Sequence, residues 1–185
     1  MSRARRLAGH GAVGFVLSQV GWFGCVGGAA AGLPWVGPLV VGAVVGVHLW
    51  IRDDRRAAAL LLVAAGAVGL AVDSALVATG ALDFPDATRL VPGFPGTTLW
   101  MVALWVGFAT TLPGALRSIA RRPVAAAAMG AVFGPLGYRA GVAMGAATLG
   151  EPAAASLAAI ALAWALALPA LGQLDERLTG PSSRA

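Results

Sequence analysis

Long apolar stretches alternate with short polar breaks along this chain of 185 residues. A helix rises about 1.5 Å per residue, so each stretch is long enough to cross a hydrocarbon layer roughly 30 Å thick. The stretches lie at about 7–31, 34–51, 57–79, 98–116, 123–149 and 152–174. The pattern predicts an all-α, polytopic membrane protein with six transmembrane helices. These helices form one domain over residues 1–178, followed by a flexible tail at 179–185.

Composition agrees with this fold class. Hydrophobic residues make up 58% of the chain, charged residues 11%, and the mean hydropathy is +0.81. These values lie outside the usual range of water-soluble domains. The bilayer is therefore the first predicted partner of the chain.

The basic residues predict the orientation. All 13 are arginines; with the amino terminus inside, only Arg89 falls in an outer loop and only Arg139 falls within a span. The others lie in segments that are then cytoplasmic, as the positive-inside rule requires, so both termini are predicted to be cytoplasmic. The same arginines account for the net charge of +5. The basic balance is therefore no sign of nucleic-acid binding, and no nucleic-acid partner is predicted.

The first apolar stretch resembles a signal peptide in its flanks. Arg3, Arg5 and Arg6 precede it, and three alanines stand at 29–31. Its apolar part is longer than the roughly 7 to 15 residues of a signal sequence, which favours a retained helix. Cleavage is the alternative, and it would leave five helices with the amino terminus outside.

Two charged residues, Asp73 and Arg139, lie inside apolar stretches. Each follows an arginine pair, Arg55–Arg56 or Arg121–Arg122, by the same number of residues. If both pairs mark the inner face, both charges lie about 25 Å along their helices, in the outer half of the membrane. A charge within a span is expensive unless it has a partner, and it is a functional-site hypothesis by default.

The same depth count applied to the other helices places a polar and aromatic layer around this pair. We expect a ligand-binding pocket at this depth, covered by the loop at 83–97, with Asp73 as the candidate catalytic residue if the protein is an enzyme. The predicted ligand-binding residues are Asp73, Arg139, Tyr138, Trp22, Trp105, Gln19 and Trp100. An aromatic belt at the interface, a snorkelling arginine and a structural salt bridge are the alternatives.

Other residue types narrow the chemistry. Cys25 is the single cysteine, and His10 and His48 lack partners at ligand spacing, so neither a metal site nor a cofactor is predicted. Glycines recur at four-residue spacing, as at Gly42–Gly46 and Gly130–Gly134. Such ridges let membrane helices approach closely, within one chain or in a homo-oligomer.

A short internal echo has a bearing on architecture. The stretch at 64–68 before Asp73 resembles the stretch at 128–132 before Arg139. A duplicated helical hairpin would explain the echo, and chance in an alanine-rich sequence is the alternative.

Four blocks of sequence carry a family resemblance. They run from Gly21 to Val26, from Gly69 to Phe84-Pro85, from Leu99 to Leu112, and from Gly130 to Ala146. In this order they resemble a bacterial integral-membrane family, the domain of unknown function 2878 family, over about 14–171. Pro113 and Arg139 depart from the family pattern, in which Asn and an uncharged residue are more usual. The resemblance implies a multi-pass protein of the bacterial inner membrane and no particular activity.

Three functions remain open from the sequence. The first is the binding of a lipid-like or small amphipathic molecule in an outer-leaflet pocket around Asp73 and Arg139. The second is a small proton-coupled transporter that uses Asp73 as its protonatable group. The third is a membrane enzyme acting on a lipid or isoprenoid with Asp73 as general acid.

Overall fold

Seven α-helices and two short strands make up the described part of the chain. The structure, a computed structural model, describes residues 3–85, 88–91 and 96–179, and for residues 3–10 it describes the backbone alone. The tail predicted at 179–185 lies outside these residues beyond Thr179, where the last helix ends. The elements are α1 (Arg3–Ala30), α2 (Val36–Ile51), α3 (Arg55–Ala78), β1 (Leu82–Asp83), α4 (Leu99–Ala109), α5 (Arg117–Ala120), α6 (Pro123–Ala143), β2 (Thr148–Leu149) and α7 (Ala153–Thr179).

The predicted helical fold class is confirmed. Three helical segments are long and apolar enough to cross a membrane: Gly11–Ala30 within α1, α3 and α7. Helices α2 and α4 are apolar but shorter. Six spans and cytoplasmic termini therefore stay predictions.

The predicted helix at 98–116 is too long. The helix begins at Leu99, close to the predicted start, because Thr98 Oγ1 accepts the Met101 N–H at 3.3 Å and caps the first turn. It ends at Ala109, where the next two threonine hydroxyls donate back to the carbonyls of Gly107 and Phe108. Turns and α5 follow, because Pro113 lacks an N–H and disfavours helical backbone in the residue before it.

Three helices end in the same glycine turn. Gly32, Gly80 and Gly145 follow α1, α3 and α6 with φ of 73°, 72° and 85°, a left-handed conformation that glycine adopts without strain. In each turn a later N–H reaches back to a carbonyl of the last helical turn, as Ala146 does to Gly141 at 3.0 Å. The helix predicted at 123–149 therefore ends at Ala143 instead.

Two of these turns lead into strands that pair. Leu82 of β1 faces Leu149 of β2, and Asp83 faces Thr148, in antiparallel register. The pairing ties the end of the α3 turn to the end of the α6 turn. It was not predicted, because two-residue strands are too short to show an alternating pattern.

The chain repeats one order of elements. A helix, a glycine turn, a strand and a second helix occur as α3–β1–α4 and again as α6–β2–α7. Within each repeat the two helices pack together, and α3 also packs against α7. The counterpart of that contact is α4 against α6, and these two helices scarcely touch in the described residues. Helices α1 and α2 pack on each other and on α4.

The glycine ridges serve this packing unequally. Gly24 of α1 lies against Val40 of α2, and Gly130 of α6 lies against the backbone of Trp164 on α7. Gly42 and Gly46 of α2 are exposed, and a methyl group added at either would meet no atom within 4 Å. Homo-oligomer formation stays a prediction, and α2 carries the ridge that is open for it.

Candidate functional site

Asp73 is fully buried and accepts two hydrogen bonds from other helices. Trp105 of α4 donates its Nε1–H to Asp73 Oδ2 at 2.8 Å, and the Tyr138 hydroxyl of α6 donates to Oδ1. Asp73 and Trp105 are 0% exposed and Tyr138 is 7% exposed. Both partners are uncharged side chains. A carboxyl group thus joins three helices, and among the residues that the structure describes it forms no ion pair.

Aromatic contacts join one of these helices, α4, to α7. The rings of Trp105 and Trp164 stack with centroids 4.3 Å apart and planes 19° from parallel. Phe108 packs edge-on against Trp164 at 5.1 Å. Offset or edge contacts of this kind are the favoured geometries of aromatic pairs. The two indoles therefore pack α4 of the first repeat against α7 of the second.

Glycines make room for these indoles. A methyl group on Gly69 of α3 would overlap the ring of Trp105, and one on Gly134 of α6 would overlap the ring of Trp164. Gly69 stands one helical turn before Asp73, and Gly134 stands one turn before Tyr138. In each repeat, then, a glycine on the first helix makes room for a tryptophan of the second helix. One turn further along the first helix stands a polar side chain that belongs to the hydrogen-bond network.

The repeat has a consistent register. Gly69 and Gly134, Asp73 and Tyr138, and Gly80 and Gly145 are separated by the same number of residues. The echo predicted from the stretches at 64–68 and 128–132 is shifted from this register by one residue. In the structural register the equivalent of Asp73 is Tyr138, and the two side chains bond to each other.

A cleft lies beside this network, where α4 and α6 fail to pack. Its volume is about 160 Å³, and it is bounded mainly by α1, α4, α6 and α7. Most of its lining is apolar or glycine. The polar or aromatic residues that line it are Ser18, Gln19, Trp22, Trp100, Phe108, Phe133, Tyr138 and Trp164.

The cleft opens sideways. Gln19 on α1 and Phe133 on α6 both line it and are both exposed, Phe133 by 65%. Each residue stands in the middle of its helix, and α1 and α6 scarcely touch in the described residues. The opening is therefore on the flank of the helical bundle, away from the helix ends.

The predicted site residues fall into two groups. Asp73 and Trp105 lie behind the cleft, in the buried network, and do not line it. Tyr138 belongs to both, because it lines the cleft and bonds to Asp73. Trp22, Trp100 and Gln19 line the cleft at its α1 and α4 walls. Residues 86–87 and 92–95 of the loop predicted to cover the site lie outside the described residues.

Arg139 is the exception, and its predicted place in the pocket needs correction. Its side chain is exposed, it does not line the cleft, and it has no ion pair with Asp73 in the described structure. Successive residues on a helix point about 100° apart. Because Tyr138 points into the bundle, its neighbour Arg139 points out of it.

Trp164 is a residue of the candidate site that was not predicted from the sequence. Helix α7 carries no charged residue before Asp175, so no residue in it was marked by the energetic cost of a buried charge. A usable signal lies in α6, where Ala126, Gly130, Gly134 and Tyr138 recur every four residues and are all buried. The small residues of this stripe leave room for the facing helix, for its backbone at Gly130 and for a large side chain at Gly134, and Trp164 is the one tryptophan of the facing helix α7.

The described residues show no group of three or more His, Cys, Asp or Glu side chains that could hold a metal ion. Cys25 is buried, with a free thiol, at the close contact of α1 with Gly37 of α2. The polar side chains among the residues that line the cleft are Tyr138, Ser18 and Gln19, and three tryptophans, Trp22, Trp100 and Trp164, line it as well.

Fold and site define a helical protein with membrane-type apolar helices, a buried polar network and a cleft open on its flank. The chain belongs to the family described as "Protein of unknown function (DUF2878)", which it matches over residues 12–170. Nothing among curated proteins or solved structures matches the chain. The predicted family is thereby confirmed.

Proposed function

We propose that this protein binds a lipid-like or small amphipathic molecule in the cleft between α1 and α4 on one side and α6 and α7 on the other. The supporting observation is the sideways opening of an apolar cleft next to a buried polar network. A molecule dissolved in the membrane would reach such a cleft without crossing the polar surface.

The size and lining of the cleft favour part of an apolar chain or ring. Its volume, about 160 Å³, is close to that of an engineered apolar cavity of about 150 Å³ that binds benzene. Aromatic walls with a few polar groups are typical of small-molecule sites. Because the cleft is open on the bundle flank, the rest of a longer molecule would remain among the lipid chains.

Two alternative functions remain, a membrane enzyme and a proton-coupled transporter, and in both Asp73 would have to take part directly. A general acid must come within hydrogen-bond reach of its substrate, yet Asp73 is fully buried behind Tyr138 and Trp105. A transporter of the broken-helix kind needs an interrupted helix at its site, whereas α6 stays helical through Pro135. Binding requires neither movement nor chemistry of Asp73, which would act by holding Tyr138 in the cleft wall.

Gly137→Leu is expected to abolish ligand binding and leave the fold intact. Gly137 lines the cleft, and a methyl group added there would meet no atom within 4 Å. The leucine would occupy space that the ligand needs. We expect co-purified lipid-like molecules, quantified by mass spectrometry after purification, to fall at least about tenfold relative to the unmodified protein, a change of about 1.4 kcal/mol in binding.

Gly46→Leu is the matched control. Gly46 is also a helical glycine with no atom within 4 Å of the added group, but it stands on the exposed face of α2, away from the cleft. We expect the control to retain the bound molecules. Equal amounts of the same molecules in Gly137→Leu and the unmodified protein would refute the proposed site.

We also propose that the chain is a six-span protein of the bacterial inner membrane with cytoplasmic termini. The support is the arginine distribution together with the three apolar spans. Asp53 and Glu151 are exposed residues on opposite sides in this topology. In a Cys25→Ala background, an impermeant maleimide added to spheroplasts is expected to label Glu151→Cys, and to label Asp53→Cys only after lysis. The opposite pattern would invert the topology.

A further inference from the structure

Two polar side chains interrupt the apolar segment Gly11–Ala30 of α1. Ser18 and Gln19 are adjacent in this segment, and both line the cleft. Gln19 is exposed where the cleft opens, and Ser18 is half-buried. Neither side chain forms a hydrogen bond with any residue that the structure describes. An amide and a hydroxyl thus belong to the wall of the cleft without a partner in the described part of the chain.

The depth of Gln19 makes this arrangement costly. In the proposed topology α1 crosses the membrane, and Gln19 lies about 12 Å from Gly11 and about 16 Å from Ala30 along the helix axis. Both distances leave it inside a hydrocarbon layer roughly 30 Å thick, where no water is available to its amide. A polar group without a hydrogen bond is expensive there, and polar residues at this depth mark ligand pathways.

Helix packing does not account for the glutamine. Its side chain is exposed, and it forms no hydrogen bond to another helix of the described structure. Tyr138, the third polar side chain of the cleft, differs because it donates to Asp73. In a membrane, Gln19 could find a partner in an occupant of the cleft or in a second copy of the chain. The occupant is favoured, because Ser18 beside it lines the same cleft.

The amide restricts the polar group of the occupant. A glutamine side chain offers an accepting Oε1 and a donating Nε2–H₂, and a hydroxyl group matches both because it donates one hydrogen bond and accepts others. A charged group does not match. No residue that lines the cleft is charged, and a charge without a counter-charge costs more in hydrocarbon than a neutral polar group.

We propose that the cleft binds uncharged lipids that carry a hydroxyl group, such as long-chain alcohols. The hydroxyl bonds to the Gln19 amide at the opening, and the adjoining part of the apolar chain occupies the cleft. This inference rests on the proposed binding function and specifies its ligand class. Alkanes bind without this hydrogen bond, and anionic amphiphiles are excluded.

Three radiolabelled probes with the same ten-carbon chain test the ligand class. Decane has no polar group, 1-decanol has a hydroxyl, and decyl sulfate is an anion. Specific retention by the protein in lipid nanodiscs is measured as the difference from Gly137→Leu nanodiscs, which corrects for probe dissolved in the lipid. We expect decane and 1-decanol to be retained specifically and decyl sulfate to show no specific retention.

Gln19→Met tests the amide, because it keeps the length of the side chain and removes both hydrogen-bonding groups. We expect the dissociation constant of 1-decanol to rise about fivefold, as for the loss of one hydrogen bond, and that of decane to change by less than about twofold. Val20→Met is the matched control. It places the same side chain at the next residue of α1, which is also exposed but does not line the cleft, and it should change neither constant. Circular dichroism checks that both variants are folded.

The failures are distinguishable. If neither decane nor 1-decanol is retained above the Gly137→Leu level, the proposed binding function fails and this inference falls with it. If both are retained but Gln19→Met weakens them equally or not at all, or if decyl sulfate is retained specifically, the inference alone is overturned. Light scattering after size-exclusion chromatography identifies the other partner: an oligomer lost in Gln19→Met, with 1-decanol binding unchanged, would mean that Gln19 pairs with a second copy.

Discussion

Gly134→Leu is expected to prevent the protein from accumulating in folded form, whereas Gly137→Leu, on the same helix, is expected to fold. A methyl group at Gly134 would overlap the Trp164 ring, while one at Gly137 would meet no atom within 4 Å. Movement of the ring alone would not relieve the overlap, because the added group would also lie 2.8 Å from Trp164 Cβ, an atom attached directly to the α7 backbone. We expect a destabilisation of more than about 3 kcal/mol, at the upper end for overpacked cores.

A second substitution tests the cause. In Gly134→Leu/Trp164→Ala the offending ring is gone, so folding should recover in part although each single change is harmful. Folded yield is measured by size-exclusion chromatography in detergent, with Gly137→Leu beside it. Absence of recovery in the double variant, or normal yield of Gly134→Leu alone, would show that the glycine does not serve to seat Trp164.

The helices were predictable because long apolar stretches bounded by polar breaks can be seen directly in the sequence. Helix ends were less so. Helix α4 ends at Ala109 because the hydroxyls of the two threonines that follow and Pro113 act together. Neither feature alone is enough to end a helix in an apolar stretch. The four-residue α5 and the strands β1 and β2 are too short to carry any periodicity. Their formation depends on neighbours far away in sequence.

The depth of the candidate site along the helices was predictable, but the directions in which its side chains point were not. Counting residues from the arginine pairs at 55–56 and 121–122 places Asp73 level with Tyr138 and Arg139, and Asp73 does bond to Tyr138. Which of the two adjacent side chains points inward depends on the rotation of α6, and charge was the wrong guide to it. The buried small-residue stripe that ends at Tyr138 was the better guide, because helix packing buries a face.

The repeat gives the cleft a structural origin. In one half of the arrangement α3 closes against α7, and in the other the equivalent helices α4 and α6 stay apart. Among the glycines of α6, Gly134 makes room for the Trp164 ring, whereas Gly137 lines the cleft and an added methyl group there would meet no atom within 4 Å. The cleft thus lies where the second repeat lacks a helix contact that the first repeat makes. A site there leaves intact the contacts that both repeats make.

Asp73→Ala is the second substitution with a large expected effect. It removes the only acceptor of the Trp105 and Tyr138 donors in the described structure, and both donors are buried. An orphaned buried donor costs about 1 to 3 kcal/mol, although hydrogen bonds between membrane helices average nearer about 0.6 kcal/mol. We therefore expect the free energy of unfolding to fall by about 2 to 4 kcal/mol, measured by SDS titration in mixed micelles.

A double-mutant cycle separates the lost bonds from a lost packing contact. Tyr138→Phe added to Asp73→Ala removes one orphaned donor, so the double variant should be more stable than the sum of the two single losses implies, by about 1 kcal/mol. Asp53→Ala, at an exposed acid outside the network, should change stability by less than about 0.5 kcal/mol. Strict additivity in the cycle would mean that the carboxyl does not hold Tyr138, and that the polar network does not shape the cleft wall.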